Sequence, residues 1–355
     1  MKLRPKHEMR RALFLLPAIA ALSFFGVPVR AQDLVLERFR DSLDALRGQV
    51  GIPGLSAALI GTNDLVWEGA FGKQDLSRAL VTRSDTPFHL DGLTQIMSAT
   101  LVLGCVEAHR LSLDDRVGSI VPDAPEPDAT IRQLLSHTSA DGSFRYRPDR
   151  LNVLSSVVDV CQEPYRGAVA KLFDQFAMSD SVPGPDVVQL PPDGFFTGPR
   201  LDRYSRVLDR LATPYAVDSG GQPSPSRYPV TTLLASGGAV STTRDVAKFL
   251  LGLTHGIGVA RDITAIMWTP AVGANGQPLP HGLGWFIQSY NGETVVWQFG
   301  ASDNASSSLM VTVPGRGLTM VLLANSEGLS RPFPFAAGDV TVSPFARLFL
   351  GSFVR

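Results

Sequence analysis

The sequence predicts an α+β protein, with one antiparallel sheet flanked by terminal helices and a mainly helical insertion. Three observations carry this. Two strand-like runs, GLSAALIG and DLVWEGAFG, stand near the start. Strand texture returns from residue 281 onward, in GLGWFIQSY, ETVVWQFG, SSSLMVTV and GLTMVLLAN. Between them, residues 110–235 are short helical stretches and loops rich in Pro and Gly, as in SVPGPDVVQLPPDGFFTGP. The sheet part is therefore expected over about 34–90 and 236–355, and the helical part over about 91–235. A cleft is expected where the two meet.

The elements follow in order. Residues 1–31 have the form of an export signal: a basic start (Lys2, Arg4, Lys6, Arg10, Arg11), the apolar run ALFLLPAIAALSFFGVPV, and Val29-Arg30-Ala31 as a small-residue cleavage site. Pro17, Gly26 and Pro28 make that run a poor spanning helix, so a signal is preferred to a retained anchor, and Arg10-Arg11 fits a twin-arginine signal only weakly. The mature chain, residues 32–355, would then be periplasmic or secreted, with no membrane span. DLVLERFRDSLDALRGQV has apolar residues at 34, 35, 36, 39, 43 and 46, a helical spacing that Gly51 ends. The two strand-like runs, with Thr62-Asn63 between them, read as a hairpin. A helix is expected at about 91–109, capped by Asp91, with Ile96, Met97, Leu101, Val102, Cys105 and Val106 as its apolar side. Its first turn holds Gly92, with Gln95 three residues on. Glycine there costs about 1 kcal/mol and needs a reason. PFARLFLGSFV closes the chain as a helix.

Composition excludes several classes of function. Without residues 1–31 the chain has 26 Lys+Arg and 32 Asp+Glu, a net charge of −6. Lys73, Lys171 and Lys248 are its only lysines, and no basic stripe exists for nucleic acid. The histidines (89, 109, 137, 255, 281) show no metal-ligand spacing, so neither metal nor cofactor is expected. Cys105 and Cys161 are expected as two buried free thiols. The alternative is a disulfide between helices that leave the cleft side by side, which needs their Cα atoms within about 7 Å.

The runs GIPGLSAALI, LSLDDRV, ATIRQLLSHTSA, ASGGAVSTTRDVAKFL and HGLGWF occur in the order found in the serine β-lactamase and penicillin-binding-protein superfamily. The chain resembles its class C β-lactamase, esterase and D,D-peptidase branch from about residue 34 to 350. That resemblance implies the β-lactamase/transpeptidase-like fold and three catalytic motifs, and each departs from the pattern. In the Ser-x-x-Lys motif, serine activated by a lysine one helical turn away, the aligned residues are Gly92 and Gln95. No Ser-x-x-Lys occurs elsewhere in the chain: Ala70, Ala168 and Asp245 precede the mature lysines by three. Tyr-x-Asn becomes Tyr146-Arg147-Pro148, and Lys/His-x-Gly becomes Gln298-Phe299-Gly300. His137 and Ser139 fall in a structural landmark, and Asp114, Asp115 and Arg116 are expected to fix a turn.

These departures imply a catalytically degenerate homologue, a pseudoenzyme that acts by binding. The resemblance places the oxyanion-hole amides at Gly92 and Ala301, so Gly92, Gln95, Tyr146, Gln298 and Ala301 are the candidate contacts for a small-molecule or peptide ligand. Gly300 would let that ligand approach the strand. Two other readings stand beside this one. The first is an active hydrolase whose nucleophile is Ser143, Ser302 or Tyr146. The second is a structural protein that binds a cell-envelope partner outside the cleft.

Overall fold

The computed structural model describes residues 29–191 and 194–354; residues 1–28, most of the expected signal, lie outside them. Helix α1 (Val29–Gln49) runs to the turn before Gly51. It buries Phe39 and Leu43, while Leu34 and Val35 at its start stay exposed. Strands β1 (Gly54–Ile60) and β2 (Leu65–Asp75) form the expected hairpin, and β3 (Leu80–Val81) adds to its edge. The short β4 (Phe88–His89) leads through a single 3-10 turn, Asp91–Leu93, into α2 (Thr94–Glu107).

The insertion holds α3 (Val117–Ile120), α4 (Ile131–Leu135), α5 (Leu154–Cys161), α6 (Tyr165–Gln175) and α7 (Gly198–Leu208). A hairpin of β5 (Tyr215–Val217) and β6 (Pro223–Pro225) follows, then β7 (Val240–Ser241), α8 (Thr243–Thr254) and α9 (Arg261–Met267). The chain returns to the sheet with β8 (Phe286–Tyr290), β9 (Glu293–Ser302), β10 (Ser306–Val313) and β11 (Leu318–Ala324), and α10 (Pro344–Phe353) closes it. Among the described residues, no helix is long and apolar enough to cross a membrane.

The main sheet has the order β3-β2-β1-β11-β10-β9-β8, with antiparallel pairing throughout. The first strands and the last thus meet side by side, β1 against β11. Strand alternation sends Leu55, Leu59, Trp297, Leu309 and Leu322 to one face, where α1 and α10 cover them. Ala58, Ile60, Val296, Met310 and Val321 go to the other, against α2 and the helical part. With both faces covered, β1 and β10 are buried along their whole length and read as continuous rather than alternating strands.

Two local expectations are overturned. Asp91 does not cap the helix: α2 has no side-chain cap, and Asp91 sits in the left-handed region at φ 48° with its carboxylate turned to β10. The cysteines are bonded to each other, with Cα atoms 6.2 Å apart. Helices α2 and α5 pack side by side, which brings the ends of both together despite a separation of 56 residues. A pairing across that distance depends on helix packing, which composition does not reveal.

Candidate active-site cleft

Strand β4 pairs with β7, and the Leu90 N–H donates to the Ala239 carbonyl at 2.8 Å, so the entry to α2 is held from the far side of the chain. This small sheet was not evident from the sequence, because two-residue strands carry no period. It fixes the 3-10 turn against β9 and β10. The Ser308 hydroxyl donates to the Leu90 carbonyl at 2.7 Å, and the Ser306 hydroxyl donates to Asp91 Oδ2 at 2.8 Å.

Gly92 lies where β9 crosses the start of α2. A Cβ at this position would collide with the Phe299 carbonyl oxygen and stand 3.2 Å from the Gly300 Cα. Gly300 is constrained from the opposite side. Its Cβ would clash with Ser308 Oγ and lie 2.6 Å from both the Asp91 Cβ and the Gly92 nitrogen. The two glycines therefore pack backbone to backbone, at a separation that leaves no room for a Cβ on either. This supplies the reason for a glycine in the first turn. It also corrects the expected role of Gly300: the group that approaches it closely is the protein's own Asp91–Gly92 turn. A serine at 92 has no room in this arrangement.

Gln95, one turn further on, is fully buried. Its Nε2 donates to the Tyr146 hydroxyl at 2.9 Å, so the first two motifs do meet. Its Oε1 has no hydrogen-bond partner among the described residues. Gln298 is also fully buried, but its amide is spent on backbone: Nε2 donates to the Gly284 carbonyl at 3.0 Å, and Oε1 accepts from the Phe299 N–H at 2.9 Å. Pro148 opens a 3-10 turn, Pro148–Val153, beyond the tyrosine. Ala301 is exposed at the end of β9. Of the five candidate contacts, then, Gly92, Gln95 and Gln298 are closed off, Tyr146 is half-buried, and Ala301 faces outward.

An aromatic cluster fills the space beside Gln95. The Tyr146 ring packs 4.6 Å from His137, 5.0 Å from Phe286 and 5.3 Å from Phe299, centroid to centroid, and His137 lies 4.8 Å from His281. The proton positions follow from partners. His137 Nδ1 accepts the Arg147 N–H at 3.2 Å, so its proton is on Nε2; His281 Nδ1 donates to the Gly282 carbonyl at 2.8 Å. Both rings are neutral near pH 7: burial pushes His281 down to about 4, and burial, with the nearby Arg150 charge, pushes His137 well down. Burial drives the Tyr146 phenol well above its ordinary range, which makes it a poor nucleophile. Phe299 and His281 are central to this cluster; in the sequence they stand only as the middle of the third motif and the start of the HGLGWF landmark, and nothing there marks a packing role.

The substitute nucleophiles fare differently. The Ser143 hydroxyl is on an exposed loop and donates to Asp141 Oδ1 at 2.7 Å, a local turn bond. Ser302 is buried and pairs with Ser306 across β9 and β10. The acidic landmark behaves as a structural turn: Asp115 accepts from the Ser112 N–H, Asp114 pairs with Arg132 at 2.8 Å, and Arg116 with Asp128 at 3.0 Å. A cavity of about 490 Å³ opens beside this turn and the Ser136–Gly142 loop, away from Gly92.

Comparison with known proteins agrees with this architecture. A family model described as Beta-lactamase matches residues 39–162 and 182–340. Penicillin-binding protein 4 of Amycolatopsis lactamdurans is 26% identical over 333 residues, covering 81% of this chain and 84% of that one. Among solved structures, the octameric penicillin-binding protein homologue from Pyrococcus abyssi superposes with a TM-score of 0.70 at 18% identity, over 89% of this chain and 77% of that one. The class C β-lactamase from Rhodobacter sphaeroides gives 0.65 at 16% identity, over 89% and 99%. D-alanine carboxypeptidase AmpC from Burkholderia cenocepacia gives 0.68 at 16%, over 90% and 99%. With the family model matching residues 39–162 and 182–340, most of its length, this chain belongs to the β-lactamase family.

Proposed function

We propose that this protein is an exported, catalytically silent member of the β-lactamase family that acts by binding. The observation that carries the reading is position 92, where the family's nucleophile would stand. There the residue is glycine, and the Phe299 carbonyl occupies the volume a side chain would need. Support comes from the other two motifs. Gln95 and Gln298 are neutral amides held by Tyr146 and by backbone, with no base and no cation at either place. The leader-like residues 1–31 support export.

The bound species is a small molecule or peptide at the outer part of the cleft, which Tyr146 and Ala301 border. The test is covalent labelling of purified protein with a fluorescent penicillin and a fluorophosphonate ester. Both reagents require an activated hydroxyl, so neither is expected to label. A stoichiometric adduct mapped to Ser302, Ser143 or Tyr146 would establish the hydrolase reading instead.

A further inference from the structure

We propose that Asp91 is a proton-operated latch on this cleft: protonated, it holds the Asp91–Gly92 turn shut on β9, and ionised, it loosens that contact. The argument starts from placement. Asp91 is in the left-handed region at φ 48°, which aspartate tolerates better than most residues. That conformation turns its side chain under the turn, where it lies against Gly300 and is only 8% exposed. The seal between Gly92 and Gly300 therefore cannot open without moving Asp91, and opening it exposes a carboxyl that is largely withdrawn from water.

Among the described residues, the carboxyl has one hydrogen-bond partner, the Ser306 hydroxyl at 2.8 Å, and makes no ion pair. The elements around it supply no cation. Strand β10 reads SSSLMVTV and has no titratable side chain. The one carboxylate of β9, Glu293, is at its opposite end, and that of α2, Glu107, is at its last position. Asp303, in the turn after β9, is exposed and of the same sign. From the 226–237 loop, Tyr228 feels the Asp91 charge and is itself pushed far up by burial; Arg227 beside it is exposed. His89, on β4, stacks on Tyr228 at 3.9 Å and is pushed down to about 4 by burial, so it stays neutral where Asp91 titrates.

The start of α2 favours an anion, but that effect does not replace the water lost on burial. Desolvation wins and pushes the Asp91 carboxyl up to about 7, with the Ser306 hydroxyl pulling the other way. The proton balance is simple: between the open and shut titration ranges, about pH 4 to 7, closing the seal takes up at most one proton from solvent, and opening releases it.

The test is hydrogen exchange followed by mass spectrometry, on peptides covering residues 88–97 and 297–303, across a pH series from about 5.5 to 8.5, corrected for chemical exchange. A carboxyl that titrates near 7 when shut and near 4 when open makes opening roughly 30-fold more favourable at the higher pH. A loss of protection of tenfold or more in both peptides, absent in Asp91→Asn, supports the latch. Asparagine tolerates the same backbone and still accepts from Ser306. In Ser306→Ala the pH midpoint of the change should move upward, because the hydroxyl favours the anion. A change below about tenfold in the wild type overturns the proposal, as does an unaltered change in Asp91→Asn or an unmoved midpoint in Ser306→Ala. Labelling plays no part in this readout, so the latch and the silent-enzyme reading fail separately.

Discussion

At position 92 the helix propensity of serine and the packing of the fold point in opposite directions. Serine is the better helix former by a few tenths of a kcal/mol. The collision with the Phe299 carbonyl is larger: overpacking of this kind costs about 1–3 kcal/mol. Gly92→Ser should therefore lower stability in urea unfolding, and Gly92→Ser with Gln95→Lys should fold poorly or remain unlabelled by the fluorescent penicillin. Labelling of the double variant would mean that β9 moves aside easily. His281 gives a second residue-scale expectation. Its folded pKa, about 4, is below the ordinary 6.5, so its contribution is present above pH 6.5 and is lost as pH falls toward 4. The loss is on the order of 3 kcal/mol. Urea midpoints at pH 7.5 and 4.5 measure it, and His281→Asn, which keeps a donor for the Gly282 carbonyl, should flatten the slope.

Between elements, the disulfide and the β9 contact hold the two ends of α2. Its first turn is pinned by β4 and β9, and its last turn by Cys105–Cys161. The Gln162 amide reinforces that end, donating to the Leu101 carbonyl at 3.0 Å. In the chain-entropy view, a bond closing a loop of 56 residues contributes ~4 kcal/mol. Cys105→Ser with Cys161→Ser should thus shift the urea midpoint down by a comparable free energy, and a reductant should do the same to the native protein but nothing further to the variant. An unchanged midpoint would show that α2 and α5 are held by packing alone.

For the whole molecule, the antiparallel sheet with both faces covered is what makes the fold legible. Its strands were readable because β1, β10 and β11 are short runs of apolar and small hydroxyl residues, buried almost throughout and bounded by turns. The terminal helices were readable because each covers one face and so shows a period. The short strands β3 to β7 were not, since two or three residues have no period to detect. The same contrast holds in the cleft. Gly92, Gln95, Tyr146 and Gln298 were identifiable from spacing and resemblance, whereas the part played by Asp91, Phe299 and His281 was not.

By itself, the sequence determined which chemical groups are present: no serine with a lysine one turn on, amides where a base and a cation would stand, and two cysteines. Those are properties of covalent structure, and folding cannot alter them. Only the tertiary structure decided how closely Gly92 and Gly300 pack, whether the cysteines meet, and that Asp91 is turned inward without a cation. Each of these depends on distances between segments far apart in the chain, and a difference of an ångström there separates an open pocket from a backbone contact.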